Sequence, residues 1–424
     1  MNRLYTCLDS SIFLCILSSC FGMVYDPAED TLLLAKQVKL HAQGTVLDMG
    51  SGSGALADAA LANTAVEMVL CVDHTQNVVS HLKQHFAGNT KVSVVLSSLF
   101  SKISKQFDVI VFNPPYLPQD VGIIDDEIYG GKHGYEVILE FLRQAPRHLL
   151  PGGRILMLWS SLSHPDIILD YVKKQLLEPE LLDSVHLAFE DLFVYQIVKS
   201  SLRVAVESVG VSDLEYFKKG TRGMIFTGFW REKNVAVKLT NPASKAFGRL
   251  EIEAEWLRKV NKKGIGPRFL ASGDGYVISE FIDGVFISDF LEHATTVQVR
   301  QVLKMLLDQC RILDKLGVDK EEMHHPYKHV FVTKNPLKVQ LLDFERAHAT
   351  PSPKNVTQCS QFILGPLASV LAKHGMVVDI VRIRELARNY KISQTTKDYN
   401  LLKDGILYGD RVSKAGVSAL LNGS

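Results

Sequence analysis

Asn113-Pro114-Pro115-Tyr116 closes the apolar run Asp108-Val109-Ile110-Val111-Phe112. The Asn113 side chain carries both a hydrogen-bond acceptor and a donor, and the Pro114 carbonyl adds a second acceptor. Two prolines stiffen the backbone that presents them. Together these groups can grip a planar NH2 group at two points, and Tyr116 can stack on the same plane. Gripping the hydrogens moves electron density toward the nitrogen as it attacks a sulfonium methyl. Orientation and electrostatics then carry the reaction, and no strong general base is required. The plain alternative is a rigid loop after a strand.

Two upstream features sharpen the reading. The segment Asp48-Met49-Gly50-Ser51-Gly52-Ser53-Gly54 follows an apolar stretch and precedes a helical pattern. Glycines at 50, 52 and 54 let the backbone turn sharply and approach a ligand closely. The next helix N-terminus supplies free amide donors. Alone, such a loop serves a dinucleotide, a phosphate or merely a tight turn. The next apolar stretch ends at Val72-Asp73, where a carboxylate can accept from both hydroxyls of a ribose. The glycine loop, the carboxylate and the NPPY segment, in that order, point to an S-adenosylmethionine pocket.

These groups need rigid elements to hold them. Short apolar runs at 45–47, 68–72, 92–96, 108–112 and 154–159 alternate with helical patterns such as 76–85 and 135–149. This β-α-β alternation predicts a doubly wound, mostly parallel α/β sheet, with ligands at the carboxyl ends of its strands. Pro151-Gly152-Gly153 reads as a turn before the strand at Arg154, and 185–189 with 194–198 as a closing hairpin.

Residues 24 to about 198 resemble the HemK family of protein-glutamine methyltransferases, in its short eukaryotic and archaeal branch. The matching residues are Tyr25-Asp26-Pro27-Ala28-Glu29-Asp30-Thr31, the 48–54 loop, Asp73, Asn113 to Tyr116, and Gly130-Gly131-Lys132-His133-Gly134. The resemblance implies methyl transfer to the glutamine amide of a GGQ motif in a class I translation release factor. It implies that Glu29 and the loop residues Asp48, Gly50, Gly52 and Gly54 touch the cosubstrate, and Asp73 its ribose. A small zinc-binding activator subunit is an implied partner. The sequence departs from the family where an acidic residue usually contacts the adenine: Ser97-Ser98 stands there, and Ser98 is the candidate contact. His74-Thr75-Gln76 also replaces the usual Asn-Pro.

Past residue 200 the pattern changes. Residues 218–238 read as two strands about a turn containing Gly220 and Gly223, the second ending in Val235-Ala236-Val237-Lys238. A helix over 244–262 places Glu253 to pair with Lys238. Tyr276 to Glu280 reads as a strand leading into a hinge, a long helix covers 297–316, and Asp343 follows a late strand at 339–342. A glycine-rich hairpin, a strand lysine, a helix glutamate and a terminal aspartate form the outline of a phosphoryl-transfer site. Residues 203–390 resemble the atypical RIO-like kinases of an archaeal serine/threonine group, through Gly264-Ile265-Gly266-Pro267 and Asp343-Phe344-Glu345-Arg346-Ala347. The resemblance implies an α+β protein-kinase-like fold binding ATP through Gly220, Gly223, Lys238, Glu253 and Glu280, with magnesium on Asp343. The catalytic loop departs from the pattern. His324 stands where the base aspartate belongs and His329 where the metal-binding asparagine belongs, while Asp319, Glu321 and Glu322 are out of register. Pseudokinase, weak kinase and docking module all stay open. His324, His325 and His329 are not expected to hold a metal.

The chain has 424 residues, a formal charge of +1 and an ordinary apolar fraction of 46%. That length calls for more than one core. Neutral charge argues against a global nucleic-acid field, so direct nucleic-acid binding is not expected. The six cysteines form no CxxC pair and read as reduced thiols of a cytoplasmic protein. Residues 1–22 outline a signal peptide, with an apolar run too short to span a bilayer; an upstream start with Met23 as the true beginning is preferred. The expected organisation is a 1–22 extension, a methyltransferase domain over 23–200, a kinase-like domain over 201–395 and a tail over 396–424. The alternatives are an adenine amino-methyltransferase, an active kinase with the first half as partner module, and a non-catalytic scaffold.

Overall fold

Most strands of the first half are largely apolar, which suits a sheet covered on both faces. The computed structural model describes residues 28–119, 128–219, 223–240 and 249–409. The 1–22 segment, Gly220 and the start of the helix expected at 244 lie outside them. The chain divides into two compact units at Tyr216/Phe217.

The first unit runs α1 (Glu29–His41), β1 (Gly44–Met49), α2 (Ala55–Leu61), β2 (Val66–Asp73), α3 (Gln76–His85), β3 (Val92–Leu96), β4 (Phe107–Phe112), α4 (Glu136–Gln144), β5 (Leu149–Ser160), α5 (Pro165–Lys174), β6 (Leu177–His186), β7 (Asp191–Lys199) and α6 (Ser201–Ser208). The sheet order is β3-β2-β1-β4-β5-β7-β6. Strands β1 to β5 are parallel, and β7 and β6 close the edge antiparallel. This is the Rossmann-like methyltransferase sheet. Its side chains alternate between two cores. Leu47, Ile110, Phe112 and Met157 enter one with Phe141, while Val46, Val109, Val111 and Leu156 enter the other with Leu34. Chain order reverses between β1 and β4, so the crevice at their carboxyl ends is the place for a ligand.

Two expectations are corrected. Pro151-Gly152-Gly153 lies inside β5, as a bulge between Leu149, paired with Phe107, and Arg154, paired with Val109. Gly152, at φ +79°, supplies the left-handed turn that the bulge needs. The first strand of the hairpin starts at Leu177, and Phe189 sits exposed in the connection. As an edge strand with an exposed face, β6 carries Glu178, Pro179 and Glu180 and lacks the apolar run that marks its neighbours.

The second unit is α+β. Its elements are β8 (Val211–Lys219), in which the division falls, β9 (Gly223–Trp230), β10 (Lys233–Thr240), α7 (Arg249–Val260), β11 (Phe269–Gly273), β12 (Tyr276–Glu280), β13 (Val285–Phe286), α8 (Ile287–His293), α9 (Thr296–Lys315), β14 (Val318–Asp319), β15 (Val330–Lys334), β16 (Leu337–Leu341), β17 (His348–Ala349), α10 (Asn355–Leu364), α11 (Ala368–Lys373), α12 (Ile380–Ser393) and α13 (Thr396–Tyr408). A five-stranded sheet is ordered β11-β12-β10-β9-β8. Helix α9 opens on a capping box, Thr295 with Gln298, and buries Val299, Val302, Leu303, Leu306 and Cys310 along one stripe. The segment read as a tail begins with α13, whose Leu402, Ile406 and Leu407 are buried in the same core. Cys71, Cys310 and Cys359 are buried free thiols. Among the described residues, no helix is long and apolar enough to cross a membrane.

Candidate methyl-transfer site and a second polar cluster

The crevice between β1 and β4 opens into a cavity of about 600 Å³. That volume suits a cosubstrate together with a reacting group. Three strand ends build it: the glycine loop after β1, Asp73 at the end of β2, and the NPPY segment after β4. The loop's Gly50, Gly52 and Gly54 all take positive φ. Gly54 also packs under Phe86 and Leu82, so a Cβ there would press on both. The Gly52 N–H donates to Asp73 Oδ2 at 3.3 Å, and the Thr75 N–H donates to Asp73 Oδ1 at 2.9 Å. Asp73 thereby joins the loop to the next strand while lining the cavity.

Asp48 lies beneath the loop, 1% exposed, and neither carboxylate oxygen has a hydrogen-bond partner. Burial pushes its pKa up to about 7 against the pull of neighbouring Ser51 and the Ala57 backbone, and nearby Asp73 adds to the rise. A buried acceptor left unmet costs about 1–3 kcal/mol, more when charged. Asp48 lies outside the cavity's lining and supports the loop from beneath. The donor and acceptor set of the glycine cradle and Asp73 fits S-adenosylmethionine.

Asn113 lines the cavity from the other side. Its Nδ2 donates to Asp30 Oδ2 at 3.0 Å and to Thr31 Oγ1 at 3.2 Å, both from the first turn of α1. Its Oδ1 is buried and has no partner. The NPPY backbone is clamped from behind. Gly130 N donates to the Leu117 carbonyl at 3.0 Å. A Cβ at Gly130 would overlap the Pro115 carbonyl, and one at Gly134 would overlap that of Tyr116. Glycine at these positions of the 130–134 loop is therefore a requirement of close approach. Tyr116 packs partly buried against both cores, and its carbonyl accepts from Ser163 Oγ at 2.9 Å.

The structure thus gathers Gly50, Gly52, Asp73, Ser98, Asn113, Pro114 and Tyr116 around one cavity. Asp48 and Gly54 support it from outside the lining. Glu29 is exposed and does not line the cavity; its neighbours Asp30 and Thr31 do. Sequence reading gave those two no role. Their contact with Asn113 joins residues far apart in the chain, and no local pattern announces it.

In the second unit, Lys238 Nζ lies 2.8 Å from Glu253 Oε2 and 3.6 Å from Asp343 Oδ1, and also pairs with Glu345. Carboxylate oxygens of Glu253, Asp343 and Glu345 lie within 4.8 Å of one another, a spacing that also fits a hard cation. Burial opposes the Lys238 ammonium, but these three carboxylates outweigh it and hold its pKa above the usual lysine value. His329 Nε2 is 3.1 Å from Glu322 Oε2, and its Nδ1 is 3.8 Å from Asp343 Oδ2. Arg346 also holds Glu322, at 2.7 Å. Sequence reading placed Glu322 out of register. Glu321 and Glu322 both take left-handed backbone, φ 60° and 56°, and the turn folds Glu322 onto His329. His324 and His325 are exposed and tilt against each other away from this contact. Lys320, 2% exposed, is lowered to about 8 by burial, against the pull of Asp343 and Glu322. Gly223 opens β9, and Glu280 ends β12 exposed.

Comparison with known proteins bears on the first unit. The family model described as "Methyltransferase small domain" matches residues 24–176. A Methanocaldococcus jannaschii protein, provisionally named a protein N5-glutamine methyltransferase, is 33% identical over 177 residues, 40% of this chain and 89% of that one. The release factor glutamine methyltransferase of Deinococcus radiodurans is 34% identical over 122 residues, and the chain spans 44% of its length. Ribosomal RNA small subunit methyltransferase C of Mannheimia succiniciproducens is 27% identical, with 40% of its length spanned. Among solved structures, the E. cuniculi Mtq2–Trm112 complex, described with methylation of the eRF1 termination factor, matches at 23% identity and a TM-score of 0.35. That match covers 42% of this chain and 99% of that one. Through its first unit, the chain belongs to the S-adenosylmethionine-dependent class I methyltransferases of the methyltransferase small domain family.

Proposed function

We propose that the first unit methylates the side-chain amide nitrogen of the glutamine in the GGQ motif of a class I translation release factor. The observation that carries this is Asn113: its Nδ2 is engaged and its Oδ1 is buried and unmet, in a residue that lines the cavity. A primary amide brings two N–H donors, one for Asn113 Oδ1 and one for the Pro114 carbonyl. Bound S-adenosylmethionine supplies an electrophilic methyl on a positively charged sulfur. Asn113 and Pro114 orient the nitrogen toward it and stabilise the positive charge that the nitrogen develops. One N–H proton then passes to water as the methylated amide forms. The likeness to named glutamine methyltransferases supports the choice of amide. A small activator subunit belongs to the same proposal, so the assay is run with and without one.

The test uses a release factor whose GGQ glutamine is changed to glutamate. That side chain offers no N–H, and methyl incorporation is expected to vanish. Incorporation that persists at the original level would overturn the glutamine assignment. The second reading is an exocyclic adenine amine of a nucleic acid, and the relatives named for ribosomal RNA support a nucleic-acid target but not the base. Transfer to RNA in place of the release factor would establish it.

For the second unit, the four-residue ion cluster about Lys238 and the Glu322–His329–Asp343 contacts support a nucleotide site of the RIO-like kind. Left-handed backbone at Glu321, Glu322 and Asp343 gathers strain at one place, a pattern found where a site is held for use. Glu253, Asp343 and Glu345 would hold magnesium once Lys238 turns to the phosphates, and Glu322 supplies the carboxylate missing from the linear motif. ATP with magnesium is expected to raise the melting temperature, and Lys238→Ala and Asp343→Ala to abolish the rise. No rise in the unaltered protein would leave a docking module.

A further inference from the structure

We infer that Asp30 and Thr31 are positioning residues that fix which way round the Asn113 amide sits, and so make the site selective for groups that bring N–H donors. The inference rests on the amide-methylation reading for its kinetic arm only. An asparagine amide can flip, exchanging its donor and acceptor ends. Here the two ends meet different neighbours. Asp30 Oδ2 receives Nδ2 at 3.0 Å, and Thr31 Oγ1 receives it at 3.2 Å. A carboxylate only accepts, so the flipped amide would set Oδ1 against it. The lock is itself fixed. Asp30 Oδ1 accepts the Thr31 N–H at 2.6 Å, and the first turn of α1 favours negative charge. Asp30 is 7% exposed and Thr31 6%, so little water competes for these bonds.

The consequence is chemical. With Nδ2 engaged, Asn113 offers the substrate an acceptor and no donor. A primary amide or amine satisfies it, whereas a carboxylate or carbonyl oxygen meets a second acceptor. Without the lock, half of the amide orientations would present Nδ2, and turnover would fall although the cosubstrate still binds.

The test combines a spectroscopic and a kinetic arm on the full chain. Selective 15N-asparagine labelling, with the Asn113 signal assigned by its loss in Asn113→Ala, reports solvent exchange of the Nδ2 protons. In Asp30→Ala that exchange is expected to speed up at least about ten-fold, because the main acceptor is gone. Turnover on the release factor is expected to fall roughly ten- to a hundred-fold in Asp30→Ala, with the S-adenosylmethionine dissociation constant changed less than about three-fold. Thr31→Val, close in shape and so expected to fold, should lose less, and Thr31→Ser should recover what Thr31→Val loses. Unchanged Asn113 exchange in Asp30→Ala overturns the inference, as does a loss of turnover matched by the loss of cosubstrate affinity. If the unaltered protein leaves glutamine unmethylated, the glutamine reading fails, and the exchange arm still decides the lock.

Discussion

The two units bury polar groups in opposite ways. In the first, Asn113 Oδ1 in the cavity's lining and both oxygens of Asp48 behind it are left without hydrogen-bond partners. In the second, Lys238 is surrounded by Glu253, Asp343 and Glu345, and the cluster supplies its own counter-ions. The first arrangement is incomplete until something binds. The second already holds a cation, Lys238, among three carboxylates, and Lys238 must move before a ligand takes its place.

The largest effect expected from breaking this contrast is in the second unit. Lys238→Ala leaves three gathered carboxylates without their cation; Glu253 and Glu345 are buried while Lys238 and Asp343 are half-buried, so the loss should fall at or below the low end, about 3 kcal/mol, for a broken buried pair. Chemical denaturation should show that loss in the second unit's transition and leave the first unit's in place. An unaltered second-unit midpoint would mean that the cluster is solvated and the contrast false.

Asn113→Ala should do the reverse. Turnover is expected to drop about 10²–10³-fold, as for the loss of one preorganised transition-state partner. Thermal stability should change far less than turnover, because the unmet Oδ1 leaves with the side chain and partly offsets the two bonds that Nδ2 gives Asp30 and Thr31. Calorimetry and methyl counting on the same preparation separate the two effects.

Asp48→Asn sharpens the comparison through pH. The folded pKa of Asp48, about 7, stands above the ordinary aspartate value of 3.8. Its contribution is fully present below the lower value and lost as pH rises through the upper one. Removing the charge should therefore raise the melting temperature at pH 8 relative to the unaltered protein and leave it unchanged near pH 4. A parallel shift at both pH values would show that Asp48 is not buried as an ionisable group. Smallest is Phe189→Ser, in the exposed turn between β6 and β7. It should change stability by less than about 0.5 kcal/mol and leave turnover alone.

The first unit was legible because its chemistry follows its strands. β1, β2 and β4 are short apolar runs, and each ends in the residue that matters: the 48–54 loop, Asp73 and Asn113. The edge strand β6 was half missed, since Glu178-Pro179-Glu180 has the polarity of a loop. The role of Asp30 and Thr31 is not legible in the sequence, because their partner Asn113 lies on another element. In the second unit the Lys238–Glu253 pair could be anticipated from a strand lysine and a following helix. Glu322 could not. Two successive non-glycine residues in left-handed backbone are not predictable from their side chains, and they decide where that carboxylate lands.

The central claim is that Asn113, held acceptor-outward, makes this chain an amide methyltransferase. The most direct measurement is mass spectrometry of the GGQ peptide after incubation of a class I release factor with S-adenosylmethionine and the protein. The account predicts a single methyl on the glutamine, because the product keeps only one of the two N–H donors that the site grips, and no methyl with Asn113→Ala. An unmodified glutamine, or a methyl that survives Asn113→Ala, would contradict it.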